Sequence, residues 1–181
     1  MTDAPFLFFH DTSVLVNFHR PGLIPVLGPL LRDNVRWTGS IRTECARKQH
    51  QLDLPGLVDA ADELLGEPLY PEAGEHTAIR QLRRQMAPPG DHPQQHLGEA
   101  ESITLIQKRM LRAVFVTDDR AAIGWAHPIE CVGTWKLIRL ARRLDLVTPS
   151  QAMRLWQAFV DAGGRPPHEI ATRASFEGGL E

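Results

Sequence analysis

The stretch Phe6-Leu7-Phe8-Phe9 is a continuous apolar run with strand character, and directly behind it Val14, Leu15 and Phe18 recur at helical spacing. The same hand-over, from a short apolar run to a 3.6-residue stripe, repeats along the chain. Val35 to Trp37 reads as a short strand, and SIRTECARKQH after it as a helix capped by Thr38 or Ser40. AVFVTDD is an apolar run ending in acids, with its strand over Val114 to Val116 and the short helix RAAIGWA next. PIECVG supplies another strand, and TWKLIRLARRL and PSQAMRLWQAFVDAGG read as two further helices. Between these units lie a stripe of Leu23, Val26, Leu27, Leu30 and Leu31 interrupted by Pro25, Gly28 and Pro29, and a helix LPGLVDAADELLG closed by Gly66. An amphipathic helix EHTAIRQLRRQM follows, then the loop APPGDHPQQH and a strong helix pattern in LGEAESITLIQKRML. Strands alternating with helices predict an α/β fold with a mostly parallel sheet flanked by helices.

The totals narrow this picture. A chain of 181 residues is long enough for one domain with a proper core. We expect that domain to span 1–167, with 168–181 as a loosely held tail. The net charge of −2 excludes a polycation, so any contact with nucleic acid must come from a local basic face. Cys45 and Cys131 do not make a disulfide framework and read as small core residues in a reducing compartment. The N-terminus lacks the basic start and apolar stretch of a signal peptide, and no run approaches a membrane span. The expected location is cytoplasmic, with no membrane partner.

The acids fall in a pattern. Parallel sheets place their working residues just beyond the carboxyl ends of the strands. Asp11 follows the first strand, and Asp118 and Asp119 follow the strand Val114 to Val116. Glu44 sits in the first turns of the helix after Trp37, and Glu99 and Glu101 in the first turn of the helix after the Pro-rich loop. Each has a plain structural reading: Asp11 as an N-cap, Asp118 and Asp119 as caps of RAAIGWA, Glu99 and Glu101 as complements of a helix dipole, Glu44 as a surface partner of Lys48. Together they recur at one topological position. Gathered carboxylates repel and need a compensating cation. Hard oxygen ligands suit Mg²⁺ or Mn²⁺, which activates water for attack on a phosphodiester and stabilises charge on the reacting oxygens.

DTSVLVNF, SIRTE, LGEAESITLI and VTDDRAAIGWA resemble, in that order, the motifs of the PIN-domain ribonucleases, which include the VapC-type toxins. The resemblance runs on through CVGTWKLIRLARRLDLVTPSQAMRLWQAFVDAGGRPP and covers Phe6 to about Pro167. It implies a PIN-like, Rossmann-like α/β/α sandwich and a metal-dependent endoribonuclease, possible homodimer formation, and an antitoxin protein as a possible partner. By resemblance, the catalytic acids are Asp11, Glu44, Glu99 and Asp119. The metal-site candidates are those four together with Glu101 and Asp118. Thr12, Ser13 and Thr117 match the small hydroxyl positions beside the acids. This chain departs from the family in two respects: it has Glu99 where the family often has Asp, and its stretch Leu54 to His96 is longer and richer in proline than in the compact toxins.

Arg83 and Arg84, with Arg80, form a basic helix face that could contact phosphate, and Arg120 beside Asp119 is placed to do the same. Lys136, Arg139, Arg142 and Arg143 make a second basic stripe, and for both stripes a solvated face is the competing reading. His92 and His96 have a zinc-like spacing, but Pro93 disfavours a regular helix there, so the loop reading prevails. Trp125, Trp135 and Trp156 are expected in the core or an interface. No P-loop or dinucleotide fingerprint is present. Two other readings stay open: a catalytically weak module that only binds a partner, and a receiver-type phosphoacceptor domain. The latter would need its paired acids after the first strand and a Lys ending the last one.

Overall fold

A computed structural model describes residues 6–179. Residues 1–5 of the expected domain and 180–181 of the expected tail lie outside it. In chain order the elements begin with β1 (Leu7–His10), α1 (Thr12–His19), a 3-10 turn (Ile24–Val26), α2 (Leu27–Leu30), β2 (Val35–Arg36) and α3 (Gly39–Gln51). α4 (Leu57–Leu65), α5 (His76–Met86), α6 (Leu97–Lys108), β3 (Ala113–Val116) and α7 (Arg120–Ala126) follow. The chain continues through β4 (Glu130–Val132), α8 (Thr134–Arg143), α9 (Pro149–Asp161), a 3-10 turn (His168–Ile170) and α10 (Arg173–Gly178).

Among the described residues the strands form one parallel sheet in the order β2-β1-β3-β4. Helices pack on both faces, as expected for an α/β fold. The alternation of side chains along each strand divides the core. Leu7, Phe9 and Phe115 join α5, α6 and α7 through Ile79, Met86, Ile103, Ile106 and Ala122. Phe8, Val114 and Val116 face α1, α4, α8 and α9 on the other side. Both faces are covered, so the strands read as continuous apolar runs rather than alternating ones.

The topology positions the site. From β1 the chain moves to β2 on one side, then crosses to β3 on the other. The order therefore reverses between β1 and β3, and a crevice opens there at the carboxyl ends of the strands. His10 pairs with Val116, which leaves Asp11 and Thr117 side by side as the first residues past the sheet.

One expectation needs correction. The described chain after Pro166, residues 167–179, is not loosely held: Ile170 and Phe176 are buried at 1% and 0% exposure, Trp156 Nε1 donates to the Ile170 carbonyl at 3.0 Å, and Phe176 packs against Trp135 and Trp156. Isolated apolar residues in a polar tail carry no periodicity, so their anchoring role is invisible in the sequence. Trp125 is 41% exposed, whereas Trp156 is buried. The stretch Leu54 to His96 is built into the domain. α4 buries Leu57, Ala61 and Leu65 in the larger core and α5 buries Ile79 and Met86 against α6, with irregular segments between the two helices and after Met86.

Candidate metal centre

Asp11 is 3% exposed. Its amide donates to the Val116 carbonyl at 2.9 Å, which extends the β1–β3 ladder by one step. Its Oδ2 accepts from Ser13 Oγ at 2.7 Å, from Thr117 Oγ1 at 2.9 Å and from the Ser13 amide at 3.4 Å. Asp11 therefore does cap α1, but the cap is its longest bond; two hydroxyls from two segments hold the carboxylate more tightly. Burial pushes its pKa up despite those donors.

Glu44 stands one turn into α3, beside the cleft, with Arg47 at 3.9 Å. Burial and then the charge of Asp11 raise its pKa. Close approach of α3 and α6 depends on Gly98: a Cβ there would collide with Ile41 Cδ1 and would stand 3.5 Å from Glu44 Oε2.

Glu99 follows Gly98 in the first turn of α6 and is 8% exposed. Its Oε2 is buried without a hydrogen-bond partner. Burial, followed by the negative charge of Asp11, pushes its pKa up to about 8, with Glu44 and Asp119 adding to the effect. An unpartnered carboxylate oxygen among other carboxylates is costly for a fold to retain and matches what a cation would satisfy.

Asp119 caps α7, its Oδ1 accepting from the amides of Ala121 at 2.7 Å and Ala122 at 3.2 Å. Its own amide donates to Thr117 Oγ1 at 3.0 Å. Thr117 thus bridges Asp11 and Asp119 with one hydroxyl.

The neighbouring acids are engaged elsewhere. Asp118 Oδ1 accepts from the Thr134 amide at 2.8 Å, and Oδ2 accepts from Asn17 Nδ2 at 2.9 Å and from the Thr134 hydroxyl. It pins the start of α8 to α1, in space that Gly133 leaves open: a Cβ there would meet Asp118 Oδ1. Glu101 accepts from the Ser40 amide at 3.1 Å and the Ser40 hydroxyl at 2.6 Å, tying α6 to the start of α3. It lines a different pocket, with Gly39, Thr43 and Tyr70. Of each pair left open by the sequence, Glu99 and Asp119 are therefore the members with an oxygen outside such a structural network.

Asp11, Glu44, Glu99, Asp118 and Asp119 line a cleft of about 390 Å³ together with Arg20, Lys48 and Phe159. A second cleft of about 710 Å³ shares Glu44, Lys48, Glu99 and Asp119 and is completed by Arg47, His92 and His96. Among the described residues, His96, Glu99 and Asp119 form a group of possible ligands whose atoms all lie within 4.8 Å of one another. This trio could hold a metal ion.

His96, which the sequence offers only as a zinc ligand paired with His92, a reading set aside above, stands instead beside Glu99 and Asp119. The loop reading of residues 87–96 holds, and His92 is exposed, yet His96 is half-buried and turned toward Glu99. Its spacing of three from Glu99, one helical turn, is the signal that was available. Sequence reasoning missed Arg20 and Arg47, because helix phase rather than composition brings them to the cleft. Arg83 does not present a free face: its guanidinium donates to the Gln95 carbonyl at 3.0 Å and to the His92 carbonyl, bracing the loop. Arg84 and Arg120 are exposed.

No helix is long and apolar enough to cross a membrane among the described residues. No family model, curated protein or solved structure matches this chain.

Proposed function

We propose that this chain is a PIN-like, Mg²⁺- or Mn²⁺-dependent endoribonuclease. One observation carries the reading: Asp11, Glu44, Glu99 and Asp119, delivered by four separate segments, line one cleft at the switch point of a parallel sheet. The donor set fits the cation. Glu99 leaves an oxygen unsatisfied, burial pushes Asp11 toward neutrality, and burial and then the charge of Asp11 do the same to Glu44. Glu99, Asp119 and Asp11 would hold the ion, with Glu44 beside them. When bound, such an ion lowers the pKa of water and offsets charge on the phosphoryl oxygens.

The chain's own residues supply the rest. Ser13 and Thr117 fix the Asp11 carboxylate, and the α7 amides fix Asp119, so both acids enter the reaction already oriented. A carboxylate of this group accepts the proton of the attacking water. Arg20 and Lys48 on one side, and Arg47 on the other, provide cations for the phosphates flanking the scissile bond. Phe159 offers an aromatic surface for an unstacked base. A net charge of −2 makes this local basic rim the means of RNA attraction. A protein partner of antitoxin type and a homodimer belong to the same proposal by resemblance.

The test is RNA cleavage by the purified chain. Activity should vanish in EDTA and return with Mn²⁺ or Mg²⁺, and Asp11→Asn, which preserves the cap, should abolish it. Cleavage that survives thorough chelation, or an Asp11→Asn variant with full activity, would sink the reading.

A further inference from the structure

His96 occupies an unusual place. Its backbone is left-handed, at φ 61°, immediately before α6. That conformation is uncommon for a residue with a Cβ. Its imidazole is 14% exposed and lies between two carboxylates: Nε2 is 3.4 Å from Asp91 Oδ2, and Nδ1 is 3.8 Å from Glu99 Oε1. Nδ1 and Asp91 Oδ2 are both buried and make no hydrogen bond, so Asp91 faces Nε2 as a nearby charge. Facing Nδ1 is the Glu99 carboxylate, nine-tenths buried, whose Oε2 also lacks a partner.

We propose that His96 is an imidazole ligand of the cation, bound through Nδ1 and oriented by Asp91 on Nε2, so that the site selects Mn²⁺ and later transition metals over Mg²⁺. The inference rests on the cation reading of the proposed function. Two atoms bonded to one ion at about 2.1 Å each stand roughly 3 to 4.2 Å apart, which the Nδ1 to Oε1 separation satisfies. A ring with one nitrogen toward a cation and the other toward a carboxylate is the common arrangement of metal-bound histidine, the carboxylate setting tautomer and direction. Imidazole suits the borderline transition metals, whereas Mg²⁺ prefers oxygen and water. Arg83 contributes at one remove, because its bonds to the carbonyls of His92 and Gln95 brace the segment that presents the ring.

The experiment titrates MnCl₂ and MgCl₂ into the metal-free full chain by calorimetry and records pulsed EPR of the Mn²⁺-loaded chain. The wild type should show nitrogen coupling to Mn²⁺. His96→Gln should lose that coupling and weaken Mn²⁺ binding by about 10- to 100-fold, with Mg²⁺ changing by less than about 3-fold. His92→Gln should leave both unchanged. Mn²⁺ bound without nitrogen coupling, coupling that persists in His96→Gln, or equal losses for the two ions would each overturn the His96 assignment and leave the cation reading intact. A wild type that binds neither ion would overturn both. If His96→Gln does not fold, the wild-type spectrum alone decides.

Discussion

The two ends of α6 treat a buried glutamate in opposite ways. Glu75, 9% exposed, lies against the C-terminal end of α6, where Arg109 makes a two-pronged contact with its oxygens at 2.9 and 2.8 Å and the Glu72 amide adds a bond at 2.7 Å. Arg109 holds its pKa down at about 2. Glu99, 8% exposed, lies at the N-terminal end, and burial with Asp11, Glu44 and Asp119 nearby pushes its pKa up to about 8. Surface exposure is nearly equal, yet burial is the largest cause of the Glu99 shift and the Arg109 contact the largest cause of the Glu75 shift. The partners differ as well: the fold supplies a guanidinium to one carboxylate and further carboxylates to the other. Where stability alone is at stake, the charge is neutralised internally. Where it is left unneutralised, a cation from solution would supply the missing partner on the proposed reading.

The largest effect should separate the two in activity. Glu99→Gln should lower RNA cleavage at least about 100-fold, a loss of about 2.7 kcal/mol of transition-state stabilisation. Glu75→Gln should stay within a few-fold of the parent. A cleavage assay on both variants checks this, and equal losses would erase the distinction.

Stability against pH should sharpen it. Glu99 in the fold binds its proton more tightly than in the unfolded chain, so its contribution is fully present below the ordinary value of 4.5 and disappears as the pH rises to about 8. Each pKa unit corresponds to about 1.4 kcal/mol, which makes the metal-free loss a few kcal/mol. Melts in EDTA between pH 6.5 and 8.5 should show the decline in the parent and in Glu75→Gln, and little of it in Glu99→Gln. A parent that melts at the same temperature throughout would contradict the picture.

Added cation should act on one end only. At 100 times its dissociation constant a ligand stabilises by about 2.7 kcal/mol, and for a domain of this size that is a rise in Tm of roughly 5 to 10 °C. Mn²⁺ at pH 8 should give that rise in the parent and in Glu75→Gln. Asp11→Asn should show a smaller rise, while melting no lower than the parent in EDTA, because one of the clustered charges is gone. A full Mn²⁺ shift in Asp11→Asn would return Asp11 to the role of a helix cap.

His10 provides a smaller, opposite signal. It is fully buried beside Asp11, and burial lowers its pKa to about 4. Its contribution is present above 6.5 and is lost as the pH falls through that value toward 4. An imidazole resonance for His10 that titrates near 6.5 in the folded chain would refute this. The smallest effect concerns the exposed face of α5. Arg84→Glu should weaken RNA binding a few-fold and reduce the salt slope by about one. Arg83→Ala should instead disturb the loop and the Mn²⁺ affinity, since Arg83 is bonded to loop carbonyls.

Periodicity alone determined the element order, the parallel α/β class and the positions of the acids relative to strand ends and helix starts. Short apolar runs and 3.6-residue stripes report local burial, and burial follows directly from side-chain chemistry. The cap at Asp11 and the loop from Ala87 to His96 were legible for the same reason, because caps and proline loops are local devices. Tertiary structure alone decided which acid of each pair keeps an oxygen outside a structural hydrogen-bond network. Asp118 and Asp119 are adjacent, yet Asp118 is held by Asn17 and Thr134, 101 and 16 residues away, while Asp119 bonds its own helix. Glu99 and Glu101 share a turn, and only the distant Ser40 assigns Glu101 to the packing of α3. His96 reaches the acids because a left-handed residue turns the chain into α6, and Phe176 anchors a segment whose pattern reads as a tail. These assignments depend on hydrogen-bond partners and backbone turns far apart in the chain, which no local pattern of apolar and polar residues encodes.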